Sequence, residues 1–292
     1  MKTIAIIGEG YVGSAMRYFF QDHFNLVIVD KKYEGKNEKV LAANQPHRDM
    51  ASVTTTYASS YQNAHGCDLV VICLPTPCKE DGSCNTDLVE EVIENIDAPL
   101  FLIKSTIEPG TTDRLKKETG KKIVFSPEYC GESKYWTEYK FHTDVKETPW
   151  FVFGGDPEDT EKAVQYFIRV SGPTKKYHQT DALTAELVKY IENTFYALKV
   201  TFCYEINELC KRMGVDYYKM REAWLLDPRI NPMHTAVFEE AGNPFGGRCF
   251  PKDVSAICRY AKNLGYDAKL IQEIQDSNER IGNIRKNRKS NE

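Results

Sequence analysis

The 292-residue chain lacks a long hydrophobic run: no segment approaches the roughly 20 consecutive apolar residues needed to span a bilayer. It also lacks a charged-then-apolar leader, because the strand-like run Ile4 to Ile7 begins almost at once. A cytosolic location with no membrane partner is therefore expected. Nine cysteines are present, an odd count, yet no C-x-x-C pair occurs and no histidine stands at metal-like spacing from Cys73, Cys78 or Cys84. That pattern argues against a metal site and a disulfide framework, and leaves free thiols as the default. Strong charge of either sign is missing too. A formal net charge of -4 gives no reason to expect a nucleic-acid partner. The one basic run, with Arg280, Arg285, Lys286, Arg288 and Lys289, reads as a solvated helix end or frayed terminus. Internal repeats and low-complexity segments are absent.

What remains is an ordinary globular composition, 41% hydrophobic and 27% charged. The length suffices for one large domain or two modest ones. Up to about residue 150, short apolar runs alternate with amphipathic stretches, the signature of a parallel sheet flanked by helices. The strand candidates are Thr3–Gly8, Asn25–Asp30, Leu69–Leu74, Leu100–Lys104 and Lys122–Phe125, with Trp150–Phe153 beyond them. In such a sheet, ligands bind at the carboxyl ends of the strands. From Ala182 to about Met213 the pattern becomes one helix of roughly 45 Å. Leu187, Ile191, Phe195, Leu198, Phe202, Ile206 and Leu209 form an apolar stripe, and Ala185, Tyr196, Ala197, Val200 and Cys203 lie opposite. A helix apolar on both sides is expected to be covered on both, by a subunit interface or a helical domain. Further helices follow, separated by Asp227-Pro228, Asn231-Pro232 and the Gly242–Cys249 loop.

Gly8-Glu9-Gly10-Tyr11-Val12-Gly13 follows the first strand, opens a helix, and is answered by Asp30 at the end of the second strand. In that context the glycines permit a tight turn, approach of a pyrophosphate and close helix packing. Asp30 can accept from both ribose hydroxyls and repel a 2′-phosphate, favouring NAD over NADP. Lys31 and Lys32 beside it read as solvated. Leu74-Pro75-Thr76-Pro77 forms either a rigid turn or one wall of a cofactor site. In Lys104-Ser105-Thr106 the hydroxyls can cap a helix or hold a water, with Thr106 nearer the crevice. Ser126-Pro127-Glu128 to Glu132 carries two carboxylates, a base or a surface pair. Lys189 and Asn193 stand one helical turn apart, the lysine either snorkelling to water or held beneath a developing negative charge. In Phe245-Gly246-Gly247-Arg248-Cys249-Phe250-Pro251-Lys252-Asp253, glycines let the backbone fold around a ligand, and Lys252, with Lys189, can favour a thiolate at Cys249.

In order and approximate spacing these motifs resemble the UDP-glucose/GDP-mannose 6-dehydrogenase family, over nearly the whole chain. The resemblance implies an α/β fold: a Rossmann-type NAD-binding domain over 1–181, then a long central helix and an all-α dimerisation and substrate domain over 182–292. It implies a four-electron oxidation of a nucleotide-sugar CH2OH to the carboxylate with two NAD, through a thioester on Cys249. Under it Lys189 and Asn193 stabilise the oxyanion, and Asp253, Thr106 and a water handle protons. Glu128 assists hydrolysis, and Glu132 lies near cofactor or substrate. Gly8, Gly10, Tyr11, Val12, Gly13, Asp30, Pro75, Thr76 and Thr106 hold NAD. Glu128, Lys189, Asn193, Phe245 and Gly246 meet the sugar nucleotide, with Arg229 offered across a homodimer formed through the central helix.

The pattern departs from the family at Ser126, Gly131 and Arg248, and in four extra residues between Arg229 and the cysteine loop. Family members also continue into a second α/β domain that clasps the nucleotide, and this sequence stops at Glu292. Two other readings stay open: a single-step β-hydroxyacid-type dehydrogenase, which needs no cysteine, and a non-catalytic NAD-binding remnant.

Overall fold

Thr3–Ile7 is apolar at four consecutive positions, Ile4 to Ile7, and all four are buried. A strand with no polar face must be covered on both sides, as in the middle of a parallel sheet. A computed structural model describes residues 1–34, 39–41, 53–129, 143–238, 240–247 and 249–289, with backbone alone at 39–41 and 289. It contains the strands β1 (Thr3–Ile7), β2 (Asn25–Val29), β3 (Lys39–Leu41), β4 (Thr54–Ala58), β5 (Leu69–Ile72), β6 (Phe101–Ile103), β7 (Ile123–Phe125), β8 (Trp150–Gly154) and β9 (Lys176–Thr180). They form one nine-stranded sheet in the order β3-β4-β2-β1-β5-β6-β7-β8-β9. From β4 to β7 every pairing is parallel. The chain turns outward from β1 to β2 and β4, then crosses to β5 on the other side of β1. That reversal makes the carboxyl ends of β1 and β5 the switch point where ligands bind in open α/β sheets.

The sheet is not wholly parallel, as the sequence had suggested: β8 runs antiparallel to β7, and β3 antiparallel to β4. Three strands were not among the candidates read from the sequence. Thr54–Ala58 is threonine-rich and only partly buried, and Lys176–Thr180 is a polar edge strand. The third, β3, pairs with β4 at the opposite edge.

Side chains alternate across the sheet, so each strand feeds two cores. Ile4, Ile6, Leu69 and Val71 pack with Met16, Phe19 and Phe20 of α1 (Tyr11–Phe20) and Phe167 of α4 (Pro157–Ser171). On the other face Ala5, Ile7, Val70 and Ile72 pack with Val89, Val92 and Ile93 of α2 (Asp87–Asn95) and Leu115 of α3 (Thr111–Thr119).

The chain divides into two compact units, 1–77 with 84–189, and 78–83 with 190–292. The division falls inside the long helix α5 (Ala182–Met213), not ahead of it at 181/182. The reason is local. Ala185 joins the sheet core, and the fully buried Glu186 accepts from the backbone N–H groups of Gly110 (2.5 Å) and Thr112 (2.8 Å). It thereby caps the start of α3, so the first turns of α5 belong with the sheet.

The second unit contains the rest of α5 with α6 (Tyr217–Trp224), α7 (Phe250–Asn263) and α8 (Lys269–Lys289). Its cores gather Cys203, Tyr204, Cys210, Tyr217, Val237 and Ile281, and Ala197, Phe245, Val254 and Ile274. The basic run at the end of α8 is not frayed. Arg285 is 3% exposed and donates to the carbonyls of Ala241 (3.1 Å) and Phe238 (2.6 Å), while Arg288 pairs with Glu208 at 2.5 Å.

Along α5 one side is buried, at Tyr190, Asn193, Ala197 and Cys203. The stripe expected to be covered is split: Leu198 and Ile206 pack on the second unit's cores, whereas Leu187, Ile191, Phe195, Phe202 and Leu209 are exposed, Phe195 at 55%. Among the described residues no helix is long and apolar enough to cross a membrane.

Candidate active site

The loop after β1 can be closed only by glycine at two positions. Gly8 has φ 87°, and a Cβ added there would lie 2.7 Å from the Cys73 carbonyl oxygen. A Cβ on Gly13 would sit 1.8 Å from the Gly8 oxygen, so its constraint is the loop's own backbone. Gly10 is different: an added Cβ meets nothing within 4 Å. The loop is therefore open just where α1 begins, and the first turn of a helix presents N–H groups that lack intrahelical partners. Open space over those donors suits a diphosphate. Tyr11 is exposed at the same helix start, and Val12 packs partly on the sheet core.

Asp30, at the end of β2, is fixed by two backbone donors: Glu9 N–H to Oδ2 (2.7 Å) and Lys32 N–H to Oδ1 (3.0 Å). Each carboxylate oxygen keeps a second lone pair for a ribose hydroxyl. Glu9, overlooked in the sequence, is almost fully buried beneath this pair. It forms ion pairs with Arg17 (2.6 Å) and Lys32 (2.9 Å) and accepts from the Tyr33 hydroxyl. Burial pushes the Glu9 carboxyl up, but the hydrogen bonds from Tyr33 and Lys32 and the two cations outweigh it and hold the group below its ordinary value. A carboxylate inside a diphosphate loop is electrostatically out of place unless cations answer it, and that was the available signal.

The loops after β5 and β6 are laced together. Ser105 Oγ donates to the Leu74 carbonyl (2.8 Å) and Thr76 Oγ1 to that of Thr106 (2.7 Å). Pro75 is exposed, Thr76 buried and Thr106 half-buried. Lys104 reaches from β6 to the β7 end, donating to Ser126 Oγ (3.0 Å) and the Pro127 carbonyl (3.1 Å). Lys189 does not snorkel to water. Its Nζ donates to the Glu128 carbonyl at 2.8 Å and lies 3.8 Å from Glu128 Oε2, both side chains being largely buried. Glu132 and Arg248 lie outside the described residues.

In the second unit Cys249 is exposed at the N-cap of α7, with Pro251 in the first turn. The Asp253 N–H donates to the Cys249 carbonyl at 2.9 Å. Asp253 itself is 1% exposed; Asn193 Nδ2 donates to its Oδ2 at 2.5 Å, and Lys252 pairs with its Oδ1 at 2.5 Å. Two of the expected residues, sixty positions apart in the chain, thus meet directly. Lys252, read as a neighbour of the thiol, has its charge on Asp253. Cys249 itself stands at the N-terminal end of α7, where an anion is favoured. Phe245 belongs to the core with Ala197 and Val254, while Gly246 and Gly247 are exposed, Gly247 with φ 75°. Arg229 is exposed and forked onto Asp227 at 2.7 Å. His234, not singled out in the sequence, has φ 66° and stacks on Tyr196 at 4.3 Å, with Phe250 6.0 Å away. Among the described residues no group of His, Cys, Asp or Glu is placed to hold a metal ion.

Residues 2–166 match the model of the UDP-glucose/GDP-mannose dehydrogenase family, NAD binding domain, and residues 183–280 match that family's central domain. The chain belongs to the UDP-glucose/GDP-mannose dehydrogenase family. UDP-glucose 6-dehydrogenase of Rickettsia typhi is 28% identical over 291 residues, covering 94% of this chain and 64% of that protein. A Bacillus subtilis UDP-glucose 6-dehydrogenase is 28% identical, covering 96% and 63%. The chain thus spans just under two thirds of the length of these relatives. Among solved structures, a UDP-glucose dehydrogenase from Pyrobaculum islandicum superposes with a TM-score of 0.74 at 26% identity, over 96% of this chain and 68% of that one. A UDP-D-ManNAc dehydrogenase from Pyrococcus horikoshii, at 23% identity and TM-score 0.72, shares the fold over 96% of this chain and 68% of that one. Residues 2–166, which lie within the first unit but for 78–83, are accordingly the family's NAD-binding domain, and NAD is the cofactor.

Proposed function

We propose that this chain oxidises the CH2OH of a nucleotide sugar to a carboxylate in two steps, through a thioester on Cys249. The observation that carries the reading is Cys249, exposed at the start of α7, four residues ahead of the buried Asp253–Asn193 pair. NAD, when bound to the first unit, accepts the hydride of each oxidation. The first oxidation takes a hydride from carbon and a proton from oxygen, leaving an aldehyde. Asn193 and Lys189 have the N–H groups to bear the negative charge that builds on that oxygen. The Cys249 sulfur then adds to the aldehyde carbon. Loss of the second hydride makes the thioester, and water breaks its C–S bond to give the carboxylate and the free thiol. Asp253, with Thr106 and a water, receives the protons, and Glu128 assists the hydrolysis. Support for Glu128 comes from its buried Oε1, which accepts no hydrogen bond from the described residues.

The same reading includes a homodimer along α5, supported by its row of exposed apolar side chains, with Arg229 offered to the partner's substrate. It places the protein in the cytoplasm, which the eight free thiols among the described residues support.

The test is stoichiometric. The purified chain is given NAD with UDP-glucose, GDP-mannose or an N-acetylated UDP-hexosamine, and NADH and acid are counted. Two NADH per sugar acid are expected, with Cys249→Ser blocking the acid and leaving at most the aldehyde. One NADH per small hydroxy acid, indifferent to Cys249→Ser, refutes the thioester and favours a single-step dehydrogenase. NAD binding without turnover of any of the three sugars refutes catalysis by this chain.

A further inference from the structure

NAD and NADP differ by one phosphate on the adenosine ribose, and enzymes that accept NADP place cations just after the second strand to meet it. This chain has such cations. Lys31 and Lys32 follow Asp30 directly, and Arg17 lies one to two turns into α1. Asp30 alone, with a lysine on each of the next two positions, is a weak barrier to a 2′-phosphate. The structure shows where two of these charges go. Lys32 Nζ is drawn back into the glycine loop, donating to the Glu9 carbonyl at 3.0 Å and pairing with Glu9 Oε2 at 2.9 Å. Arg17 Nε pairs with Glu9 Oε1 at 2.6 Å. Glu9 is held from a third side by the Tyr33 hydroxyl, and its side chain is 4% exposed, so a buried carboxylate sits at the centre of partly exposed cations.

We infer that Glu9 is a second selectivity residue for the cofactor: by binding Lys32 and Arg17 it keeps both from a 2′-phosphate and so enforces NAD. Within the cluster two carboxylates, Glu9 and Asp30, stand against Lys32 and Arg17, and of the three cations Lys31 alone is left outside that balance. Removing the Glu9 charge leaves a net positive charge beside the ribose and releases the half-exposed Lys32 ammonium from its ion pair, leaving it the Glu9 backbone carbonyl and the Tyr33 ring. Glu9 touches no reacting atom; it is a positioning residue that acts through Lys32 and Arg17.

Binding rather than turnover tests this, with ADP-ribose and 2′-phospho-ADP-ribose as probes titrated by calorimetry into the whole chain. Glu9→Gln is expected to shift the ratio of the two dissociation constants by roughly tenfold toward the 2′-phosphate. The shift should shrink in high salt, because it is a charge effect at a partly exposed site. Glu9→Asp, which keeps the charge, should leave the ratio near its starting value. Adding Lys32→Ala to Glu9→Gln should reverse the gain. Should Glu9→Gln fail to fold, Glu9→Met serves as a second neutral variant and should move the ratio the same way. A merely structural role weakens both probes together and leaves the ratio unchanged. An unchanged ratio, or a shift that Lys32→Ala does not reverse, overturns the inference.

Discussion

Asp253→Ala is expected to destabilise the helical unit by about 3 kcal/mol. The carboxylate is 1% exposed and holds two partners, Asn193 Nδ2 and Lys252 Nζ, each at 2.5 Å. Removing one member of a buried pair usually costs about 3–5 kcal/mol, because the survivor stays desolvated without its counter-charge. Lys252 retains 17% side-chain exposure and regains some water, which points to the lower end. Asn193, 6% exposed, cannot turn to solvent, and its orphaned amide costs about 1–3 kcal/mol within that total. Asp253→Asn keeps an acceptor for Asn193 and loses only the charge opposite Lys252, so about 1–2 kcal/mol is expected. Urea denaturation followed by circular dichroism measures both, and hydrogen exchange across α7 locates the loss. A double-mutant cycle with Asn193→Ala should give a coupling of at least about 1 kcal/mol. If Asp253→Ala costs less than Asp253→Asn, or if the cycle shows no coupling, the pair does not hold α7 to α5. Any activity lost in these variants would then have to be a direct effect on proton transfer.

Three other outcomes follow from the same contacts. Burial raises the Glu186 carboxyl above its ordinary value, although the Thr112 and Gly110 hydrogen bonds pull the other way. A raised folded value means its contribution is complete below the ordinary glutamate range and is lost as pH rises through the raised value. The stability lost in Glu186→Gln should therefore shrink with rising pH in that window, and denaturation midpoints that diverge instead would refute the assignment. Arg285→Ala should cost about 1–3 kcal/mol, chiefly by stranding the Ala241 carbonyl, since Phe238 keeps the Tyr204 hydroxyl and Glu208 keeps Arg288, with Arg285→Lys recovering only part, as thermal melts would show. Phe195→Glu with Ile191→Glu should halve the sedimenting mass without lowering the melting temperature of the monomer, since both side chains are exposed in the single chain; an unchanged mass counts against the α5 dimer.

Much of the candidate site could be read from the chain because it rests on local rules. The Gly8–Gly13 loop is dictated by backbone clashes within a few residues, and Asp30 by the length of one strand. Cys249 could be read because two glycines and a proline shape its loop whatever surrounds it. What escaped the reading were partnerships between distant residues. Glu9 looked like a loop residue until Arg17 and Lys32 closed on it, and nothing local announced that Asn193 would meet Asp253 sixty positions away. Strands β4 and β9 escaped for a related reason. Their polar residues are tolerated because hydrogen bonds to a neighbour, and not apolar burial, hold them in the sheet.

By itself, the sequence determined the elements whose physics is periodic or steric: the doubly buried strands, the 32-residue helix, the glycine loop and the cysteine turn. Tertiary structure alone decided which charges meet. It made Glu186 the cap of a helix far ahead of it in the chain, and set Asn193 on Asp253 and Lys189 on Glu128. It also chose which side of α5 faces its own core and which is left exposed. The physical reason is range. Periodicity and backbone clash act within a few residues and are written in their order, whereas an ion pair depends on where two chain segments come to rest, which only the packed fold fixes.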